Sequence, residues 1–133
     1  GPMHDILPPL AERLATAPLR MDAKTHDRMS RGKLSPEARV DLHGMTVAEA
    51  HAELIRFILN AWSDGLRLVL VITGKGKPGP DHGPIPIRYG VLKHQVPTWL
   101  HMPPLGPCIL QVTEAHLRHG GAGAYYVYLR RHR

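Results

Sequence analysis

The sequence predicts a single α/β domain in which strand, helix, strand, helix and two further strands follow a basic N-terminal segment. Three observations carry that expectation. A short strand turns into a helix with a capping box at Thr46, Leu66 to Thr73 is almost continuously apolar, and two apolar segments near the end flank a glycine-rich stretch. Strand, helix, strand in that order implies a right-handed βαβ unit with a parallel strand pair. The 133 residues, 43% of them apolar, fit one globular domain. No apolar run nears the ~20 residues needed to cross a bilayer and no signal segment leads the chain, so a cytoplasmic monomer with no membrane partner is expected. A lone cysteine, Cys108, excludes an internal disulfide and a cysteine-built zinc site. Seventeen Lys and Arg against 11 Asp and Glu, a formal charge of +6, favour a polyanionic partner, nucleic acid first.

Residues 1–2, Gly-Pro before Met3, read as the scar of a cleaved tag, and residues 3–37 as a basic extension, partly helical or flexible. Within it a helix is expected from about Ala23 to Arg31, capped by Asp22 and ended by Gly32. The rest is broken by prolines, and the segment reads as an arm outside the core, either a solvated tail or a contact for nucleic acid. Residues 38–133 form the domain. Its first strand, Ala38 to Leu42, runs into a glycine turn at His43-Gly44. Thr46 and Glu49 then have the spacing of a capping box, and Val47, Ala50, Leu54, Ile58, Ala61 and Trp62 form one apolar stripe that ends at Asp64-Gly65. The run Leu66 to Thr73 reads as a strand covered on both faces. Prolines and glycines between Pro78 and Pro86 make a loop with the character of a lid. A second helix is expected from about Gly90 to His101, with Pro97 removing one backbone donor. Strands at Cys108 to Thr113 and Tyr125 to Arg130 then flank a basic tip that contains His116, Arg118 and His119. Tyr125, Tyr126 and Tyr128 read as strand packing.

Four blocks carry a family resemblance: Asp41-Leu42-His43-Gly44 before a Thr-capped helix, Val71-Ile72-Thr73-Gly74-Lys75-Gly76, Gly90-Val91-Leu92, and His119-Gly120-Gly121-Ala122-Gly123-Ala124-Tyr125-Tyr126-Val127. In that order and spacing the chain resembles a small MutS-related (Smr) domain from about Val40 to Arg131, and Asp22 to Arg39 looks like the extension that precedes it in stand-alone bacterial members. The resemblance implies a βαβαββ two-layer sandwich with a four-stranded mixed sheet, similar to the C-terminal domain of a bacterial translation initiation factor. It also implies nucleic-acid binding, with endonuclease activity in several members, some nicking DNA and some cutting messenger RNA on ribosomes.

Both glycine turns fall at the carboxyl edge of neighbouring strands, where open α/β sheets place their ligands. An Asp or a His alone serves a turn or a surface more often than a site. Residues two apart on a strand share a face, however, so Asp41 and His43 can act together on one phosphodiester: the imidazole as proton acceptor, the carboxylate as its orienting partner. Gly74-Lys75-Gly76 lacks the rest of a nucleotide P-loop and reads either as a plain turn or as a phosphate seat, with Gly44, Lys75 and Lys77 adding close approach and charge. His116, Arg118 and His119 are assigned to phosphate or sugar, since two His without a placed carboxylate make a poor metal site. No cofactor is expected, with magnesium or manganese the open alternative. The readings that follow are an RNA endonuclease with a metal-free mechanism, in which His119 supplies the leaving group's proton, a DNA-nicking enzyme, and a non-catalytic nucleic-acid or ribosome adaptor.

Overall fold

A computed structural model describes residues 18–75 and 90–132. The tag scar, the proline-rich start, the Pro78 to Pro86 loop with its lid role, and Arg133 lie outside the described residues. In chain order the elements are α1 (Ala23–Ser30), β1 (Ala38–Asp41), α2 (Val47–Ser63), β2 (Leu68–Ile72), α3 (Val91–Leu100), β3 (Ile109–Glu114) and β4 (Ala124–Leu129). The four strands form one mixed sheet in the order β1-β2-β4-β3. β1 lies parallel to β2, with Val40 opposite Val71, while β4 runs antiparallel to both β2 and β3. This is the βαβαββ arrangement with a four-stranded mixed sheet that the sequence predicts.

α2 begins where its cap dictates. The Glu49 amide donates to Thr46 Oγ1 at 3.2 Å and the Thr46 amide donates to Glu49 Oε1 at 2.9 Å, so two donors at the helix start are satisfied reciprocally. Ala50, Leu54, Ile58 and Ala61 then pack, with Val96 and Leu100 of α3, onto Val40, Val69, Val71, Val112 and Val127 of the sheet. Val47, counted in the apolar stripe, is 44% exposed instead. It is the first residue of α2, one turn ahead of the point where burial starts. Pro97 cannot donate to the carbonyl of Lys93, four residues earlier. The Tyr125 hydroxyl donates to that oxygen at 2.7 Å in its place, so β4 repairs the gap that proline leaves in α3.

The opposite face of the sheet is also covered. Leu68 and Leu70 of β2 and Tyr126 of β4 pack with Met21 and Met29. Met29 belongs to α1, whose Asp22 carboxylate caps it by accepting from the Thr25 amide at 2.9 Å. The segment read as an arm outside the core therefore supplies part of a core, because a strand as apolar as β2 exposes Leu68 and Leu70 unless something lies over them. Arg20 and Pro18 continue the attachment: the Arg20 amide donates to the Gln111 side chain at 2.8 Å, and Gln111 donates back to the Pro18 carbonyl. Among the described residues no helix is long and apolar enough to cross a membrane.

Because Met29 is fully buried, Met29→Ala should cost about 2–5 kcal/mol in urea denaturation, the usual scale for emptying a core site. A change within a few tenths of a kcal/mol would show that α1 rests on the sheet without stabilising it.

Candidate active site

The parallel pairing of β1 and β2 brings two carboxyl ends side by side. Asp41 stands opposite Ile72, and the Leu42 amide donates to the Ile72 carbonyl at 2.8 Å beyond the last paired residues. Val40 and Leu42 point into the core beneath α2, so alternation sends Arg39, Asp41 and His43 to the other face. There the Asp41 carboxylate accepts from the His43 amide at 3.0 Å and meets His43 Nδ1 at 2.5 Å. A carboxylate can only accept, so Nδ1 is the protonated nitrogen and Nε2 of a neutral ring is left as a base. The pair is open to solvent, His43 at 68% and Asp41 at 47% exposure of the side chain. Desolvation pushes the Asp41 carboxyl up, and the hydrogen bonds and charge of His43 together outweigh it and hold the group below the usual carboxylate range.

The turn after β2 leans on this pair. Gly74 has φ +80°, and a Cβ there would lie 3.4 Å from the Cβ of His43. Its amide, expected to face a phosphate, is donated instead to the Gly123 carbonyl at 3.1 Å, alongside the Thr73 amide at 2.8 Å. Gly74 thus contributes a close backbone and not a free donor. Gly123 needs to be glycine for the same packing, since a Cβ would sit 3.1 Å from the Gly74 carbonyl carbon and 3.2 Å from Lys75 Cγ. Lys75 is exposed, and Gly44 shapes the turn out of β1 with φ +81°. Gly76 and Lys77 lie outside the described residues.

The β3–β4 tip divides into two parts. His116 and Arg118 turn towards α1: Arg118 donates to the Gly32 carbonyl at 3.1 Å, and a Cβ on Gly32 would strike the His116 ring at 2.8 Å. His119 turns onto the sheet, where its Nδ1 is hydrogen-bonded to the hydroxyl of Tyr126. Tyr126 lies in one row across the sheet with Leu70 and Arg39, and the next row towards the carboxyl edge holds Ala124, Ile72 and Asp41. His119 and the Asp41–His43 pair therefore share a face. Desolvation, then the charges of Arg118, His116 and Arg39, hold the His119 imidazole below its ordinary value. Arg39, assigned no site role from the sequence, belongs to this surface. Its signal was present in the alternation Arg39, Asp41, His43. Among the described residues no three His, Cys, Asp or Glu side chains gather as a metal ion would require.

Comparison with known proteins gives this edge a family. The profile of the Smr domain matches residues 40–130. The chain belongs to the Smr domain family. It is 32% identical over 105 residues to a probable DNA endonuclease, SmrA of Escherichia coli K12, covering 79% of this chain and 51% of that protein. It is 31% identical over 127 residues to the ribosome rescue factor SmrB of Vibrio cholerae O395, covering 94% of this chain and 60% of that protein. The chain thus spans only half to three-fifths of the length of these relatives. Among solved structures it resembles YdaL, a stand-alone small MutS-related protein from Escherichia coli, with TM-score 0.66, 27% identity, and 94% and 93% of the two chains covered. The Smr domain of Thermus thermophilus MutS2 aligns at TM-score 0.56 and 28% identity over 70% of this chain and 98% of that one. The match to YdaL extends beyond the Smr region itself into the segment that carries α1.

The Asp41 carboxyl of this Smr domain binds its proton less readily folded than unfolded. Its contribution to stability is therefore present above the unfolded value and lost as pH falls through the folded one. The gap in urea midpoint between wild type and Asp41→Asn should be widest near neutrality and close progressively below pH ~4. A gap independent of pH would mean that the pair is not formed in solution.

Proposed function

We propose that this Smr domain is an endonuclease that cleaves RNA through the 2′-hydroxyl of its substrate, acting on ribosome-associated messenger RNA in the cytoplasm. The observation that carries this reading is the Asp41–His43 pair, which commits Nδ1 to the carboxylate and leaves Nε2 facing open solvent at the carboxyl edge. The charge of +6 and the ribosome rescue role of the similar SmrB support a nucleic-acid substrate and an RNA one in particular. His43 Nε2 takes the proton of the 2′-hydroxyl, the freed oxygen attacks the adjacent phosphorus, and the bond from phosphorus to the 5′-oxygen breaks. The leaving oxygen takes its proton from solvent at this exposed edge, and His43 later returns its own to solvent. The products are a 2′,3′-cyclic phosphate and a free 5′-hydroxyl. Lys75 stabilises the charge that develops on the phosphorane oxygens. His119 is reassigned from proton donor to neutral hydrogen-bond donor on a phosphate oxygen, because desolvation, and after it the cations around it, disfavour the imidazolium an acid would need. Gly44 and Gly74 let the backbone of the substrate approach, His116 and Arg118 add basic groups from the tip, and Gly76 and Lys77, outside the described residues, keep the phosphate-binding role expected from the sequence.

DNA nicking is the second reading, favoured by the description of the similar SmrA as a probable DNA endonuclease. Purified protein incubated with labelled single-stranded RNA should cut it in the presence of chelator and leave the cyclic phosphate. A single 2′-deoxynucleotide at the scissile position should stop the reaction, and His43→Ala should slow it at least ~10²-fold with binding nearly unchanged. Efficient cutting of the deoxy substrate, or strict dependence on magnesium or manganese, would replace this mechanism with attack by water. Binding without cleavage of any substrate would make the domain an adaptor.

Electrostatics give an independent check. RNA affinity should fall steeply with salt, and Lys75→Ala should lower the slope of log affinity against log salt by about 1, the loss of one phosphate contact. An unchanged slope would remove Lys75 from the interface.

A further inference from the structure

Tyr126 is fully buried, its ring packed among Met21, Met29, Leu68, Leu70, Ala115 and Ala124. That environment suits phenylalanine. The hydroxyl is nevertheless hydrogen-bonded to Nδ1 of His119, with the two rings edge to face at 5.5 Å. A phenol has one proton. In this apolar setting that proton is satisfied only if it is donated to the partner that the hydroxyl has, His119 Nδ1. A neutral imidazole that accepts at Nδ1 carries its hydrogen on Nε2.

We propose that Tyr126 is a positioning residue that fixes His119 in the Nε2–H form, so that the site presents a hydrogen-bond donor to a phosphate oxygen. The inference rests on the role given to His119 above, although the tautomer itself does not. Protonating Nδ1 would leave the Tyr126 hydroxyl without an acceptor in an apolar setting, which opposes the imidazolium. The other groups facing His119 act in the same sense: Arg39 from β1, and His116 and Arg118 from the tip, are cationic or able to become so. Without the hydroxyl a neutral His119 can place its hydrogen on Nδ1, and Nε2 then repels the phosphate it should hold.

Nitrogen-resolved NMR of the histidine rings tests this in the full chain. In wild type, His119 should show an unprotonated Nδ1 and a protonated Nε2 and titrate below the ordinary histidine value. Tyr126→Phe should mix the tautomers, raise the His119 midpoint, and weaken RNA binding and cleavage about tenfold, the scale of one hydrogen bond to a charged group. A wild-type His119 protonated on Nδ1 overturns the proposal without any variant, as does a Tyr126→Phe protein whose His119 spectrum and titration are unchanged. His119→Ala separates the two ideas. If that variant binds and cuts RNA normally while the NMR behaves as described, the tautomer assignment stands and the role of His119 in the proposed function fails.

Discussion

The burial of β2 on both faces is the constraint on which the rest of this structure depends. Val69 and Val71 need the cover of α2 and α3, while Leu68 and Leu70 need that of α1. A strand held in this way becomes the fixed centre of the sheet, with β1 parallel on one side and β4 antiparallel on the other. The candidate site inherits its geometry from that centre. The carboxyl end of β1 and the turn after β2 lie together because the two strands run the same way, and the start of β4 arrives at the same edge because it runs the opposite way. Glycine at position 123 then lets the β4 approach press against Gly74 and Lys75.

The same constraint explains why α1 belongs to the domain. Met29 fills the second face, and the turn that follows α1 is bound to the tip through the Arg118 bond to the Gly32 carbonyl and the His116 ring against Gly32. The tip in turn carries His119. Movement of α1 would therefore be felt at His119 through two short contacts, whereas Asp41 and His43, fixed by the pairing of β1 with β2, would feel it only through the sheet. The proposed base and the proposed phosphate donor thus rest on different supports.

Local signals made much of this legible. Thr46 and Glu49 define the start of α2, the uninterrupted apolar run marks β2, and the spacing of Asp41 and His43 places both on one face. Each of these reports on neighbours within four residues or on a strong periodicity. The core role of α1 left no such mark, since Met29 is its single buried residue and one methionine makes no stripe. Even so, β2 contained the clue: a strand apolar on both faces needs two covering layers, and the predicted helices furnished one. The Gly74 amide and the Tyr126 hydroxyl were beyond local reading. Their partners, Gly123 and His119, are brought to them by two successive 3-10 turns, Leu117–His119 and Gly121–Gly123, whose path no periodicity encodes.

The composition of the edge also bears on what it can recognise. Exposure of the Asp41–His43 pair means that water screens it, so its value lies in orienting the imidazole and little in stabilising the fold. Around it stand Lys75, Arg39 and His119, all suited to phosphate. Among the described residues, the tyrosines that could stack on bases are committed elsewhere: Tyr125 to the Lys93 carbonyl, Tyr126 to His119, and Tyr128 to the guanidinium of Arg67, which lies 4.8 Å from its ring centre. Phosphate contacts fix the register of a nucleic acid without reading its sequence. On the proposed reading, then, the described residues of this edge hold a backbone and leave the choice of target to whatever delivers the strand to them.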